Sequence, residues 1–158
     1  METVNRIKKV ETNTLKNEKN NIENAFEVVV IEDNHLANTV LSKALNSAIN
    51  TIQSLKNIAV KFTSFQNGQD FLNYFGGKEF LKSKLIVFSD YYLEKDMNVV
   101  MILKSIKLKK ADATVIVMSD SSNDRIAIDA ENSGAYCFLP KNQKTPVICS
   151  ELLFKMIN

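Results

Sequence analysis

Four short polar groupings in this 158-residue chain carry the residue types that do chemistry: Glu32-Asp33, Ser89-Asp90, Ser119-Asp120 and Pro140-Lys141. Each directly follows a short apolar run, Val28 to Ile31, Leu85 to Phe88, Val115 to Met118 and Tyr136 to Leu139 respectively. Carboxylates crowded together repel one another and bind their protons more tightly unless a cation offsets the charge. Their oxygens suit a hard ion such as Mg²⁺, which one or two carboxylates can hold while positions stay open for water and a phosphoryl oxygen. Lys141 would add a positive charge and Ser119 a hydrogen-bond donor, the groups that stabilise charge developing on a transferring phosphoryl group. Asp90 is then the natural acceptor.

These groupings act together only if the fold delivers them to one place. Val28 to Ile31 reads as a buried strand, and an amphipathic helix follows from near Leu36. In that helix Leu36, Val40, Leu41, Ala44, Ala48 and Ile52 recur at three- to four-residue steps, while Ser42, Lys43, Asn46 and Asn50 fall on the wet side. The alternation repeats with strand candidates Ile58 to Phe62, Leu85 to Phe88, Val115 to Met118 and Tyr136 to Leu139, making five β/α units. Strands separated by helices cannot form hairpins, so right-handed crossovers lay them parallel with helices on both faces. Near-continuous Val, Ile and Leu runs are what strands buried on both faces require. Ligands of an open parallel sheet bind beyond the carboxyl ends of its strands, where all four groupings fall.

Composition narrows the choice. Hydrophobic residues make up 45% of the chain, enough for the core of one domain. Lysine and arginine number 20 against 18 acids, a net +2 that offers nucleic acid no dominant basic field. A single histidine, His35, and two cysteines outside any metal-knuckle or CxxC spacing argue against zinc. No apolar run has the length of a membrane span and the N-terminus lacks a signal-like core, so a cytoplasmic protein with reduced thiols is expected. Residues 1–25 are rich in Asn, Lys and Glu and too poor in apolar residues to make a core, leaving a disordered tail or a docked helix ahead of a domain at 26–158.

Val-Ile-Glu-Asp-Asn (30–34), Ser-Asp-Tyr-Tyr-Leu (89–93), Val-Met-Ser (117–119) and Phe-Leu-Pro-Lys (138–141), in this order and each at its own strand end, resemble the response-regulator receiver family of two-component signalling. The resemblance covers about residues 26–158. It implies a doubly wound, flavodoxin-like α/β fold with five parallel strands in the order 2-1-3-4-5. It also implies that Asp33 ligates Mg²⁺ directly, Glu32 through water, and the main-chain carbonyl of Tyr92 completes the protein ligands, while Asp90 both ligates the metal and accepts phosphate. The implied reaction is attack by Asp90 on the phosphorus of a phosphohistidine in a sensor histidine kinase or phosphotransfer protein, assisted by Mg²⁺, Lys141 and Ser119. Water later hydrolyses the acyl phosphate, so self-phosphorylation and autodephosphorylation are the only catalysis expected. In the family the hydroxyl at the Ser119 position follows the phosphoryl group and an aromatic at the Phe138 position turns inward, altering the surface of the fourth helix, fifth strand and fifth helix. The chain beyond Lys141 suffices for a last helix alone, so a stand-alone switch or relay that contacts a downstream protein is expected, with no direct nucleic-acid or membrane partner.

The family pattern is not met everywhere. Val99 stands where glycine is usual and Asn142 where proline is usual, and the loop Tyr91 to Asn98 is about one residue longer. Without the proline, a cis bond after Lys141 would cost about 2.5–4 kcal/mol, so Lys141 is expected to approach by another backbone geometry.

Plainer readings exist for each residue. Glu32-Asp33-Asn34 could cap a helix, Asp90 could end a strand in a turn, and Ser119 could cap the helix holding Arg125 to Asn132. Lys141 could be a solvated charge and Phe138 plain core; His35 reads as a surface residue, and Lys104, Lys107, Lys109 and Lys110 as a solvated helix end. Cys137 reads as a small core residue and Cys149 as part of the last helix. The rival functions are a phosphorylation-independent pseudo-receiver and an enzyme of the same fold class. A flavodoxin would need a hydroxyl- and glycine-rich loop where Glu32-Asp33 stands, a dinucleotide enzyme would need GxGxxG, and a dehalogenase-like phosphatase would need an acid at Tyr92.

Overall fold

The computed structural model describes residues 25–78, 83–94, 96–110, 112–121 and 123–157. Five parallel strands form one sheet: β1 (Phe26–Ile31), β2 (Val60–Phe65), β3 (Lys84–Asp90), β6 (Thr114–Ser119) and β7 (Cys137–Pro140), in the order β2-β1-β3-β6-β7. Counting these strands alone, the order is 2-1-3-4-5, as the resemblance implied. The helices are α1 (His35–Lys56), α2 (Gly68–Gly76), α3 (Val99–Lys109), α4 (Asp124–Asn132) and α5 (Thr145–Met156).

Alternate residues of the central strands feed two cores. Val29, Ile31, Val87 and Val117 pack with Phe71, Ile102 and Ile126 of α2, α3 and α4, whereas Val28, Val30, Ile86 and Ile116 pack with Leu45, Ile52 and Leu153 of α1 and α5. Every residue of β1 is buried, Glu27 included. Glu27 is accommodated because the Lys78 ammonium and the Tyr74 hydroxyl both donate to its carboxylate, as burying a charge requires.

Several elements depart from the sequence reading. The second strand lies at Val60–Phe65 and not at Ile58 to Phe62. Asn57 ends α1 in a left-handed conformation, φ 52°, and Ile58 and Ala59 are spent on the connection. As an edge strand, β2 has a half-exposed, polar-interrupted pattern, so Thr63 and Ser64 hid its far end. Tyr136 lies outside β7 and is exposed. On α1 the buried stripe is Asn38, Leu41, Leu45, Ala48, Ile49 and Ile52, while Leu36 and Val40 are 72% and 46% exposed because they lie on the side of the helix turned away from that stripe.

A further element was not read at all. The loop after Asp90 folds into an antiparallel ribbon, β4 (Tyr92–Glu94) against β5 (Met97–Asn98). Leu93 of the ribbon is fully buried in the core beneath it, and Val99 donates its N–H to the Tyr91 carbonyl at 2.9 Å.

Asparagines start the first four helices: Asn34, Asn67, Asn98 and Asn123 each accept a first-turn backbone N–H with the side chain. The lysines at the end of α3 are not a purely solvated face. Lys107 donates to the Ala113 carbonyl, and Lys109 donates to the Phe75 and Gly76 carbonyls at the end of α2. No helix among the described residues is long and apolar enough to cross a membrane. The expectation for the N-terminal tail falls on residues 1–24, outside the described residues.

Candidate functional site

The carboxyl ends of β1, β3, β6 and β7 open into one cleft of about 510 Å³, lined by Glu32, Asp33, Asn34, Asp90, Tyr92, Ser119, Asp120, Ser121 and Lys141. All of the catalytic and metal residues expected from the sequence meet there. The helix-cap reading of residues 32–34 applies to one of the three. Asn34 Oδ1 accepts the Ala37 N–H at 2.9 Å, while Glu32 turns inward and Asp33 remains exposed.

Glu32 is held by its neighbours. Its carboxylate accepts the Asn34 N–H at 3.1 Å and the Lys141 ammonium at 2.7 Å. Asn38, on the buried stripe of α1, donates from Nδ2 to both the Glu32 and Phe65 carbonyls at 3.0 Å and so ties the ends of β1 and β2 together. Sequence reasoning missed Asn38. The signal available was slight: of the residues three and four positions away, Asn34, His35, Leu41 and Ser42, only Leu41 is apolar.

Asp90 ends β3 opposite Met118 and is 8% exposed. Its Oδ2 lies 2.8 Å from the Lys141 ammonium and its Oδ1 accepts the Tyr91 N–H at 2.7 Å. The Ser89 hydroxyl donates to the Asp90 carbonyl at 2.9 Å. Asp90 is therefore oriented from three sides and is not a loose turn residue.

Lys141 comes from the end of β7, where its N–H donates to the Ser119 carbonyl at 2.8 Å and extends the pairing with β6. No cis peptide bond occurs among the described residues, so Lys141 reaches both acids along a trans backbone. Asn142 takes over the turn that follows: it donates to Thr145 Oγ1 and accepts the Lys144 N–H, both at 2.8 Å, which leads the chain into α5. Ser119 is buried at the end of β6 and accepts the Ser121 N–H at 3.1 Å; the cap of α4 is Asn123, so Ser119 is not a helix cap.

The electrostatics follow from this crowding. Burial pushes the Asp90 and Glu32 carboxyls above their ordinary values, and Lys141 only partly offsets it; Asp33 adds to the rise at Asp90, and Asp90 to that at Glu32. Burial pulls the Lys141 ammonium down, but the two carboxylates it bonds outweigh this and its pKa is raised. The cleft thus holds more negative charge than its own ammonium neutralises.

This donor set fits a hard divalent cation. One oxygen from each of Glu32, Asp33 and Asp90 lies within 4.8 Å of the others. Oxygens on opposite sides of a Mg²⁺ are roughly 4.2 Å apart at its usual bond lengths, so small rotations bring this trio into range. Tyr92, whose carbonyl the family resemblance adds to the set, lines the same cleft from β4. Phe138 lies outside it, half-buried on β7 against the core under α2, α3 and α4. His35 is exposed and pairs its Nδ1 with Gln66 Nε2 at 2.8 Å, as its surface reading requires.

No protein-family model and no curated protein matches this sequence. Solved structures do match. The chain is similar to the BeF3-activated receiver domain of DrrB, a response regulator of Thermotoga maritima, with TM-score 0.64 and 20% identity over 84% of this chain and 97% of that one. The fold is that of a response-regulator receiver domain. Another T. maritima response regulator superposes at TM-score 0.62 with 16% identity, covering 84% of this chain and 98% of that one. FixJ from B. japonicum superposes at 0.61 with 23% identity, and there the receiver fold accounts for 84% of this chain but 55% of that protein. The receiver fold explains why the strand-end residues converge: β1 and β3 are neighbours whose following helices lie on opposite faces, which opens the crevice between them.

Proposed function

We propose that this chain works as a phospho-accepting receiver: Asp90 takes a phosphoryl group from a histidine kinase or a histidine phosphotransfer protein, and the product state is read by another protein. The observation that carries the proposal is the Lys141 ammonium bonded to both Asp90 and Glu32 in a cleft that also contains Asp33 and Ser119. An Asp90 oxygen forms the new bond to phosphorus, the bond from phosphorus to the donor imidazole breaks, and that nitrogen retains the electron pair. Lys141 and the Ser119 hydroxyl stand beside the charge that develops on the phosphoryl oxygens. Glu32, Asp33, Asp90 and the Tyr92 carbonyl would hold Mg²⁺, which when bound supplies positive charge to the transferring oxygens.

For the output step, Ser119 and Phe138 form the proposed relay, Ser119 toward the phosphoryl group and Phe138 toward the face made by α4, β7 and α5. Ile128 on α4, Tyr136 just before β7 and Val147 on α5 are exposed, apolar side chains available to a downstream protein partner. The domain is a signalling element of the cytoplasm with no direct nucleic-acid or membrane partner, and its only catalysis is its own phosphorylation and dephosphorylation.

The test is incubation with Mg²⁺ and a small phosphodonor, read by intact mass. One added phosphoryl group that is absent from Asp90→Asn supports the proposal. No adduct, or an adduct that survives the substitution, overturns it in favour of a phosphorylation-independent pseudo-receiver.

A further inference from the structure

Four carboxylates and one ammonium line the cleft, and three of the acids have an evident use there. Glu32 and Asp90 bond Lys141, and Asp33 completes the oxygen trio with them. The fourth, Asp120, is exposed at the end of β6 beside Ser119, and no hydrogen bond or ion pair engages its carboxylate among the described residues. It also borders the neighbouring apolar groove of Leu36, Val40 and Pro146, so it stands where the cleft opens outward. The ionised set without Asp120 carries two negative charges net, which one divalent cation cancels. Asp120 alone makes the metal-loaded cleft negative.

We infer that Asp120 is a specificity-determining residue: its charge selects against small dianionic phosphodonors at a cleft whose chemistry does not otherwise require it. This rests on the phosphoryl-accepting reading of Asp90. A free dianion meets the Asp120 charge unscreened at the mouth of the cleft. A phosphohistidine presented by a protein arrives with surrounding groups that can cancel that charge. In water, one unit charge acting on a dianion at roughly 7 Å changes an encounter rate roughly sevenfold before screening.

Acetyl phosphate, a dianion at neutral pH, and phosphoramidate, predominantly a monoanion there, separate charge from size. The experiment measures Mg²⁺-dependent labelling rates of the intact chain with each donor for the wild type, Asp120→Asn and Asp120→Glu. Asp120→Asn is expected to accelerate labelling by acetyl phosphate about three- to fivefold and by phosphoramidate less, with the gain lost in about 1 M salt. Asp120→Glu should keep wild-type rates. Equal gains with both donors, a gain that survives high salt, or no gain overturns the inference while leaving the acceptor reading intact. Wild-type protein that takes phosphate from neither donor overturns the acceptor reading itself, and this inference with it.

Discussion

A β-carbon on Gly68 would lie 2.3 Å from the Met97 sulfur, so the ribbon that follows Asp90 rests directly on the first turn of α2. Ile102 and Leu93 close the same space, at 3.1 Å and 3.4 Å from that position. Glycine is needed here for its lack of volume. Gly68→Ala should destabilise the fold by about 1–2 kcal/mol, the cost of overpacking less the gain from a stiffer unfolded chain. Gly68→Val should cost more. Denaturant unfolding checks both, and an unchanged midpoint in the valine variant would show that the ribbon does not sit on α2.

Lys141 bonds both buried acids of the cleft, Glu32 and Asp90. Lys141→Met keeps the aliphatic stem but leaves Glu32 and Asp90 facing each other uncompensated, and at neutral pH it should cost about 3 kcal/mol. The acids then hold their protons more tightly still, so the deficit should shrink as the pH falls and they become neutral. A stability difference from wild type that is constant across pH would contradict the pairing.

The metal-free cleft should also respond to pH by itself. The folded pKa values of Glu32 and Asp90 are raised above 4.5 and 3.8, so their contribution is fully present below those ordinary values and is lost as the pH rises through the folded ones. Mg²⁺ binds the deprotonated acids, so its stabilising effect should grow over the same interval, reaching about 2.7 kcal/mol at a hundredfold excess over Kd. Asp33→Asn should weaken the Mg²⁺ effect and, by removing a repelling charge from Asp90, slightly stabilise the metal-free protein. Thermal melts across pH with and without Mg²⁺ measure all three effects.

Burial pushes the Cys149 thiol up to about 12, with the Cys137 thiol beside it adding to the shift. Only the thiolate alkylates, so iodoacetamide at mildly alkaline pH should leave Cys149 unmodified in the native chain and label it once denaturant is added. Because the folded value is raised, the stability contribution of Cys149 should fall as pH climbs from about 9 toward about 12. Peptide mass mapping reads the labelling, and Cys149→Ala should lose less stability over that alkaline interval.

Much of this protein could be read from residue order alone. Val28 to Ile31, Leu85 to Phe88 and Val115 to Met118 are unbroken apolar runs because central strands are covered on both faces, and that demand is written into every residue of the strand. The same logic located Glu32, Asp33, Asp90, Ser119 and Lys141, since a parallel sheet gathers whatever follows its strands at one edge. Edge and overhanging elements carry no such demand. The end of β2 was hidden by Thr63 and Ser64, and the exposure of Leu36 and Val40 depended on which side of α1 faces the sheet.

Only the tertiary structure decided how the gathered groups are shared out. That Lys141 joins Asp90 to Glu32, that Asn38 ties β1 to β2, and that Asp120 has no partner among the described residues depend on contacts between residues far apart in the chain. The ribbon after Asp90 is of the same kind, because Met97 and Leu93 find their place against Gly68 and Ile102 of other elements. A local pattern records whether a residue is covered. It does not record which distant neighbour covers it, and charge pairing depends on that neighbour through distance and desolvation.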